Sequence, residues 1–332
     1  MQQKISVLGL GNFGTALARN WLEAGHLVSG WTVEQDVFDS ISVRQVNEKY
    51  LPGVVLEGLS ASMDIGQAIN DARVVVLALP SGVVLDVVDQ LIPHLQGGEI
   101  LMDLAKGLAP GDRLISDVIE EKLSAADLHN PLCVMMGPTI APEVARGVYS
   151  KALVASRDAA LAQEMATALT TPSVSLSAAA DPLGAEYWGA FKNVIALACG
   201  VVDGLKEDGR GGDNLKAAVF TVGYAEAVKL IPLLGAQHDT AFSPAGIGDL
   251  FVTATSPHGR NREMGERLGR GQSLAEAEGD MVMVSEGVRA ARMFKKLFAG
   301  QAIPAPFVDA VCDLLDGRDQ IDQFLQKMMR SQ

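Results

Sequence analysis

Several short segments of this 332-residue chain combine side chains or bare backbone in ways suited to chemistry. Gly9-Leu10-Gly11-Asn12-Phe13-Gly14 follows the strand-like Lys4-Ile5-Ser6-Val7-Leu8 and opens the apolar segment Thr15 to Ala24. A glycine turn between a strand and a helix suits a dinucleotide pyrophosphate. Gly9 permits the tight turn, Gly11 lets the backbone approach the anion, and Gly14 allows close packing of helix on strand. Free amides and the positive helix end then meet the negative charge without a basic side chain. Glu34, twenty residues beyond Gly14, ends the segment Trp31-Thr32-Val33-Glu34. An acid there accepts from a ribose 2'-hydroxyl, whereas a 2'-phosphate wants an arginine, so the local sequence leans to NAD over NADP. The other reading is a solvated loop carboxylate, with Arg44 only ten residues on.

Lys192 lies in the apolar segment Trp188-Gly189-Ala190-Phe191-Lys192-Asn193-Val194-Ile195-Ala196. Burial strips an amine of hydration and depresses its pKa, which makes Lys192 a candidate acid or base near neutral pH. The alternatives are an amine that snorkels to the surface or one that pairs with a structural carboxylate. Asn193 offers an amide beside it. Downstream, Gly246-Ile247-Gly248-Asp249-Leu250 ends a glycine-rich turn in a carboxylate, and Gly259-Arg260-Asn261-Arg262 sets two arginines around an amide. Together they offer a charge partner for a lysine and a fork for a phosphate, although surface arginines in loops are common. His26, His94, His129, His238 and His258 have no metal-ligand spacing and no nearby nucleophile motif. They read as surface or loop residues, and no metal is expected.

These groups need elements to position them. Ile5 to Leu8, Leu27 to Trp31, Val74 to Leu79, Ile100 to Leu104, Leu132 to Met136 and Leu153 to Ala155 read as strands separated by helix-length segments. Near-continuous apolar strands alternating with helices predict a Rossmann-type, doubly wound parallel sheet covered on both faces. In such a sheet ligands bind at the carboxyl ends of the strands, so Lys106 and Thr139, just after two of them, are placed to face the cofactor. From about Leu183 the pattern changes to long Ala- and Leu-rich stretches, Ala185 to Val202 and Leu215 to Leu234, broken around Gly209-Arg210-Gly211-Gly212, Pro244 and Pro257. An all-α second domain is expected, with the boundary at Asp181-Pro182, giving domains 1–181 and 182–332. The length agrees with two domains.

Forty acidic against 27 basic side chains give a net charge of −13. That charge disfavours nucleic acid and anionic lipid. Cys133, Cys199 and Cys312 are odd in number and far apart, which suits a reducing cytosol. The N-terminus lacks the pattern of a signal peptide. Leu183 to Val202, apolar and of helical length, carries Glu186, Lys192 and Asn193, and reads as a core helix rather than a bilayer span.

In its motifs and their order, the chain resembles the bacterial-type NAD(P)-dependent glycerol-3-phosphate dehydrogenase family. The likeness runs through the glycine loop with Gly14 to Ala18, Asn47 with Tyr50-Leu51-Pro52, Leu79-Pro80-Ser81, Lys106-Gly107-Leu108 and Gly137-Pro138-Thr139. It continues through Lys192 to Ala196, Asp203-Gly204-Leu205, Gly246 to Leu250, Arg260-Asn261-Arg262 and Glu286-Gly287. The resemblance implies a cytosolic oxidoreductase, usually a homodimer, that interconverts dihydroxyacetone phosphate and sn-glycerol 3-phosphate for glycerophospholipid synthesis. It implies Asn12, Phe13 and Ala141 at the cofactor, Lys106 bridging cofactor and substrate, and Gly137 and Thr139 at the substrate. It also implies Lys192 as general acid/base, Asp249 as a substrate-side partner, Arg260 and Asn261 on the substrate phosphate near the cofactor, and Val284 and Glu286 over the nicotinamide. On this reading one domain carries the cofactor, the other the lysine, and the reaction takes place between them.

Four departures from the family pattern stand out. Gly259 replaces the usual serine, so one substrate hydrogen bond is lost or supplied by backbone. Val33-Glu34 replaces a basic residue, the loop 206–212 is longer, and Val222 replaces an arginine. Two rival readings have less support. A dehydrogenase of another small hydroxy acid would lack the pairing of Gly248-Asp249 with Arg260-Asn261. A non-catalytic dinucleotide-sensing module would have no need of a buried lysine beside a carboxylate.

Overall fold

A computed structural model describes residues 2–256, 259–281 and 285–330. Pro257, His258 and Val284 lie outside the described residues. The chain divides into two compact units, one of Met1–Ala109 with Arg113–Ala185, the other of Pro110–Asp112 with Glu186–Gln332.

The first unit is built on strands β1 (Lys4–Leu8), β2 (Leu27–Trp31), β3 (Val46–Asn47), β4 (Leu51–Val55), β5 (Ser60–Ser62), β6 (Val74–Leu77), β7 (Ile100–Asp103), β8 (Leu132–Met136), β9 (Ser150–Ala155) and β10 (Val174–Ala179). Its helices are α1 (Asn12–Glu23), α2 (Gln35–Arg44), α3 (Ile65–Ile69), α4 (Val84–Leu91), α5 (Ile115–Ala125), α6 (Ala141–Ala145) and α7 (Ala159–Leu169). Eight strands form one sheet in the order β10-β9-β8-β7-β6-β1-β2-β5, while β3 and β4 form a separate hairpin. Side chains alternate across a strand, so Val74 and Val76 of β6 enter one core with Ile5, Val7 and Met102, and Val75 and Leu77 enter another with Leu8 and Leu101. Burial on both faces accounts for the unbroken apolar runs.

The sheet corrects the expectation of an all-parallel arrangement in one place. β8 and β9 pair antiparallel, and β10 then runs parallel to β9, so the last two strands oppose the rest. Short α6 lies between β8 and β9 and packs beside α1 instead of making a full crossover over the sheet. The expected strands at Val74 and Ile100 end earlier than read, at Leu77 and Asp103, and the last begins earlier, at Ser150. β5 (Ser-Ala-Ser) is too short and polar to carry a strand signal, and β10 (Val-Ser-Leu-Ser-Ala-Ala) alternates apolar and polar residues instead of forming the continuous apolar run of the central strands.

The second unit is helical among the described residues: α8 (Pro182–Gly204), α9 (Asp213–Leu230), α10 (Asp249–Thr255), α11 (Arg260–Gly269), α12 (Leu274–Gly279), α13 (Glu286–Gly300), α14 (Pro306–Leu315) and α15 (Ile321–Arg330), with short 3-10 and wide turns between α9 and α10. Asp181 begins α8 by accepting the Gly184 amide at 3.0 Å. Apolar residues on every side make α8 the central helix of this unit, buried from Ala185 to Leu205. Phe191 meets Phe294 edge-on at 4.8 Å and stacks on Phe307 at 6.4 Å. Among the described residues the helix long and apolar enough to cross a membrane by length and composition is instead Asp213–Leu234, and only 33% of its apolar window is buried.

Candidate active site

In the first unit the glycine turn has a distinct local requirement at each position. Gly9 has φ +103°, and a Cβ there would stand 2.6 Å from the Ala78 carbonyl. A Cβ on Gly14 would collide with the Gly9 carbonyl, whereas one on Gly11 would meet no atom within 4 Å. Gly9 and Gly14 are therefore fixed by packing, and Gly11 leaves the approach to the turn open. The Leu10 carbonyl accepts from Asn47 Nδ2 at 2.8 Å and Thr15 Oγ1 at 3.1 Å, and Asn47 also donates to Thr15 at 2.9 Å. Thr15 was not singled out in the sequence, and Asn47 appeared there only as part of a motif; both brace the turn. α1 carries no acid in its first turn, so its amide end is electrostatically open to a pyrophosphate. Asn12 is exposed on this turn and Phe13 is half-buried against the core.

Glu34 stands at the N-cap of α2. It is not a freely solvated loop carboxylate. Tyr50 Oη donates to Glu34 Oε1 at 2.7 Å, Lys49 pairs with its other oxygen, and Lys49 also reaches Asp36 at 3.1 Å. Both carboxylates raise the Lys49 pKa, the Glu34 hydrogen bond most. Arg44 donates to Ser40 Oγ at 3.2 Å. Lys106 Nζ donates to the Gly137 carbonyl at 3.1 Å, and Thr139 Oγ1 donates to the same carbonyl at 3.3 Å. Lys106, Gly137 and Thr139, far apart in sequence, thus form one cluster beyond the ends of β7 and β8, with Ala141 opening α6 next to it.

In the second unit Lys192 does not snorkel. Its side chain is 4% exposed and lies 2.6 Å from Asp249 Oδ2, itself 3% exposed. Lys192 Nζ also donates to Thr253 Oγ1 at 3.1 Å, and Thr253 donates to the Asp249 carbonyl at 2.7 Å. Sequence reading missed Thr253, although its place four residues after Asp249 puts both on one face of α10. The carboxylate offsets the desolvation of the amine and favours its ammonium form. Ser243 shapes the turn that delivers Asp249 by accepting the Ala245 amide at 3.2 Å.

Gly259 is the N-cap of α11, and Arg260 is its first residue, exposed. A serine at 259 would therefore act first as a helix cap, and glycine in that role costs only a few tenths of a kcal/mol. Asn261 is buried and fully oriented: Nδ2 donates to Asn193 Oδ1 at 2.8 Å, while Oδ1 accepts from Ser285 Oγ and the Gly287 amide, each at 2.8 Å. Glu286 opens α13 at the same point. The two arginines separate. Arg262 turns inward to Asp203 at 3.1 Å, so the fork expected from Arg260 and Arg262 does not form from both.

Among the described residues no group of three or more His, Cys, Asp or Glu is arranged to hold a metal. His26 departs from the surface reading. It is buried, and its Nδ1 accepts the Gln3 amide at 3.0 Å; desolvation lowers its pKa. The three cysteines are free and buried.

Residues 4–162 match the family described as NAD-dependent glycerol-3-phosphate dehydrogenase N-terminus, and residues 181–326 match the corresponding C-terminus. The chain belongs to the NAD-dependent glycerol-3-phosphate dehydrogenase family. A family relative from Rhodospirillum rubrum, glycerol-3-phosphate dehydrogenase [NAD(P)+], is 37% identical over 98% of this chain and 91% of its own length. The crystal structure of glycerol-3-phosphate dehydrogenase from Coxiella burnetii superposes with a TM-score of 0.87 at 29% identity, covering 99% of both chains. A ketopantoate reductase of the PanE/ApbA family from Ralstonia eutropha shares the fold at a TM-score of 0.56 and 16% identity, over 98% of this chain and 100% of its own. Family membership makes this chain an NAD(P)-dependent oxidoreductase acting on a CH–OH group, with glycerol-3-phosphate dehydrogenase activity.

Proposed function

We propose that the chain reduces dihydroxyacetone phosphate to sn-glycerol 3-phosphate with NADH, and that Lys192 is the proton donor. The buried pair of Lys192 and Asp249, braced by Thr253, carries this reading. Bound nicotinamide supplies the hydride. Lys192 meets the alkoxide that develops on the former ketone oxygen, first as a positive charge at Nζ and then as the source of the proton. Asp249 and Thr253 aim the amine and keep it charged while water is excluded. Arg260, Asn261 and the amide end of α11 hold the substrate phosphate, with Gly259 contributing backbone only. Lys106, Gly137 and Thr139 face substrate and cofactor. Gly9, Gly11, Asn12, Phe13, Gly14, Ala141, Arg260 and Glu286 hold the cofactor, and Val284 is assigned there by resemblance alone.

Glu34 favours NAD. Tyr50 and Lys49 hold its carboxylate in place, and the set of Glu34, Asp36 and Lys49 carries a net negative charge that repels a 2'-phosphate. The enzyme works as a cytosolic homodimer that feeds glycerophospholipid synthesis. Support for the dimer comes from α9, where Phe220 and Tyr224 stack at 6.3 Å, Tyr224 meets Phe242 at 6.5 Å, and Phe242 is 58% exposed. A second copy covers that face, so the mass in solution is expected to be twice 35.0 kDa.

The deciding experiment follows oxidation of NADH and NADPH by dihydroxyacetone phosphate, for the wild type and Lys192→Ala. Turnover that prefers NADH and falls on the order of a hundredfold or more in the variant is expected. A Lys192→Ala enzyme that remains fast would overturn the proton-donor assignment, and a preference for NADPH would overturn the reading of Glu34.

A further inference from the structure

Asp203 is a buried carboxylate, its side chain 7% exposed, on the last turn of α8. Three cations converge on it. Lys206 Nζ lies 3.2 Å from Oδ1, while Lys216 Nζ at 2.7 Å and Arg262 Nη1 at 3.1 Å share Oδ2. Burial opposes ionisation, yet the hydrogen bonds from Lys216 and Arg262 hold the Asp203 pKa below its ordinary value. Arg262 reaches further: Nε donates to the Ser256 carbonyl at 3.0 Å, and Nη1 lies 3.2 Å from Glu266. One guanidinium therefore ties the end of α8 to Ser256 and to Glu266 of α11.

The helices themselves meet backbone to backbone at the same place. Gly200 and Gly204 of α8 and Gly265 and Gly269 of α11 are each spaced by four residues, so each pair lies on one helix face. A Cβ on Gly200 would strike the Arg262 carbonyl, on Gly204 the Glu266 carbonyl, on Gly265 the Leu197 carbonyl and on Gly269 the Val201 carbonyl. Such a crossing fixes separation, and a buried directional ion pair fixes register along it. Asp203 follows Lys192 by eleven residues, about three turns, so both side chains project from nearly the same face of α8. Arg262 follows Arg260 by two residues within the first turn of α11.

We infer that Asp203 and Arg262 are a positioning pair that sets where the start of α11, with Arg260 and Asn261, stands along the helix that carries Lys192. They act on the phosphate end of the substrate through Arg260 and Asn261, and not on proton transfer. The inference rests on the assignment of those two residues to the substrate phosphate. Neither Asp203 nor Arg262 touches the reacting atoms on this account, and both charges are engaged within the cluster that includes Lys206, Lys216 and Glu266.

The test is steady-state kinetics with dihydroxyacetone phosphate and NADH for wild type, Asp203→Asn, Arg262→Ala, Arg262→Lys and the Asp203→Asn/Arg262→Ala double variant, with a thermal melt of each. Asp203→Asn and Arg262→Ala are expected to raise the KM for dihydroxyacetone phosphate about tenfold or more, and the KM for NADH, which Arg260 also holds, by less. Arg262→Lys is expected to recover part of the loss, and the double variant to lose little more than either single one, as residues that act together do. Should Asp203→Asn or Arg262→Ala fail to fold, Arg262→Lys decides, because it keeps the charge and loses only the fork. A KM for dihydroxyacetone phosphate unchanged in folded variants, or a loss confined to kcat, overturns the inference. A wild type that does not turn over dihydroxyacetone phosphate instead overturns the functional reading beneath it.

Discussion

Replacing Asp249 by asparagine tests the centre of the site, because it keeps the shape and a hydrogen-bonding oxygen while removing the charge. The Lys192–Asp249 separation of 2.6 Å gives a gross attraction of about 6 kcal/mol at an effective dielectric constant of about 20. Much of that offsets the desolvation of two side chains only 4% and 3% exposed. Leaving one buried charge without its partner costs about 3–5 kcal/mol. At a few degrees per kcal/mol for a domain of this size, the melting temperature is expected to fall on the order of 10 °C. The same loss disfavours the ammonium form, so reduction of dihydroxyacetone phosphate is expected to slow on the order of a hundredfold near neutral pH. The remaining rate should rise towards lower pH, where the amine regains its proton. A thermal melt and a pH profile of NADH oxidation, run side by side on both proteins, measure the two effects. An Asp249→Asn protein that melts with the wild type and keeps its rate and pH profile would refute the assigned coupling.

Three further outcomes are expected. Gly14→Ala places a methyl group against the Gly9 carbonyl, a backbone atom that cannot swing aside. It should cost about 3 kcal/mol or more and abolish NADH binding, as read by titration of nucleotide fluorescence; wild-type binding would contradict the packing argument. Glu34→Ala removes the carboxylate held by Tyr50 and Lys49. It is expected to lower the ratio of kcat/KM for NADH over NADPH by about tenfold, a loss equivalent to about 1.4 kcal/mol, and an unchanged ratio would remove Glu34 from cofactor choice. Glu226 accepts the Phe307 amide at 2.7 Å and the Val308 amide at 3.1 Å at the start of α14, and burial pushes its pKa from 4.5 up to about 7. The folded state then holds the proton more tightly than the unfolded chain, so this contribution is complete below pH 4.5 and is lost as pH rises to about 7. The shift corresponds to at most about 3 kcal/mol. Urea midpoints at pH 5 and pH 8 should show a drop in wild type that Glu226→Gln lacks, and equal drops would exclude Glu226 as the source.

Much of this protein was legible along the chain because the signals are local. The glycine turn needs only six consecutive residues with a strand before and a helix after, and the unbroken apolar strands followed from burial on both sheet faces. Lys192 stood out because a charge inside an apolar helix is conspicuous in one dimension. Other elements gave no such signal. β5 is three small residues and β10 alternates serine with apolar residues, and each pairs with a single neighbouring strand at an edge of the sheet. The reversal at β9 depends on how α6 packs beside α1, which no local pattern records.

The division of labour between similar side chains was decided in three dimensions. Arg260 and Arg262 are alike in sequence, but Asp203, more than fifty residues away, turns one of them inward. Glu34 could have been a solvated loop acid until Tyr50 and Lys49 gripped it. The glycine turn between strand and helix, most of the apolar strands and the conspicuous Lys192 could be read along the chain, since each rests on short-range backbone conformation or periodic burial. Tertiary packing fixed the 2.6 Å approach of Asp249 to Lys192, which arginine remains at the surface and which glycines let two helices touch. Those choices depend on distances between residues far apart in the chain, and the cost of an unpaired buried charge or a misplaced methyl group enforces them.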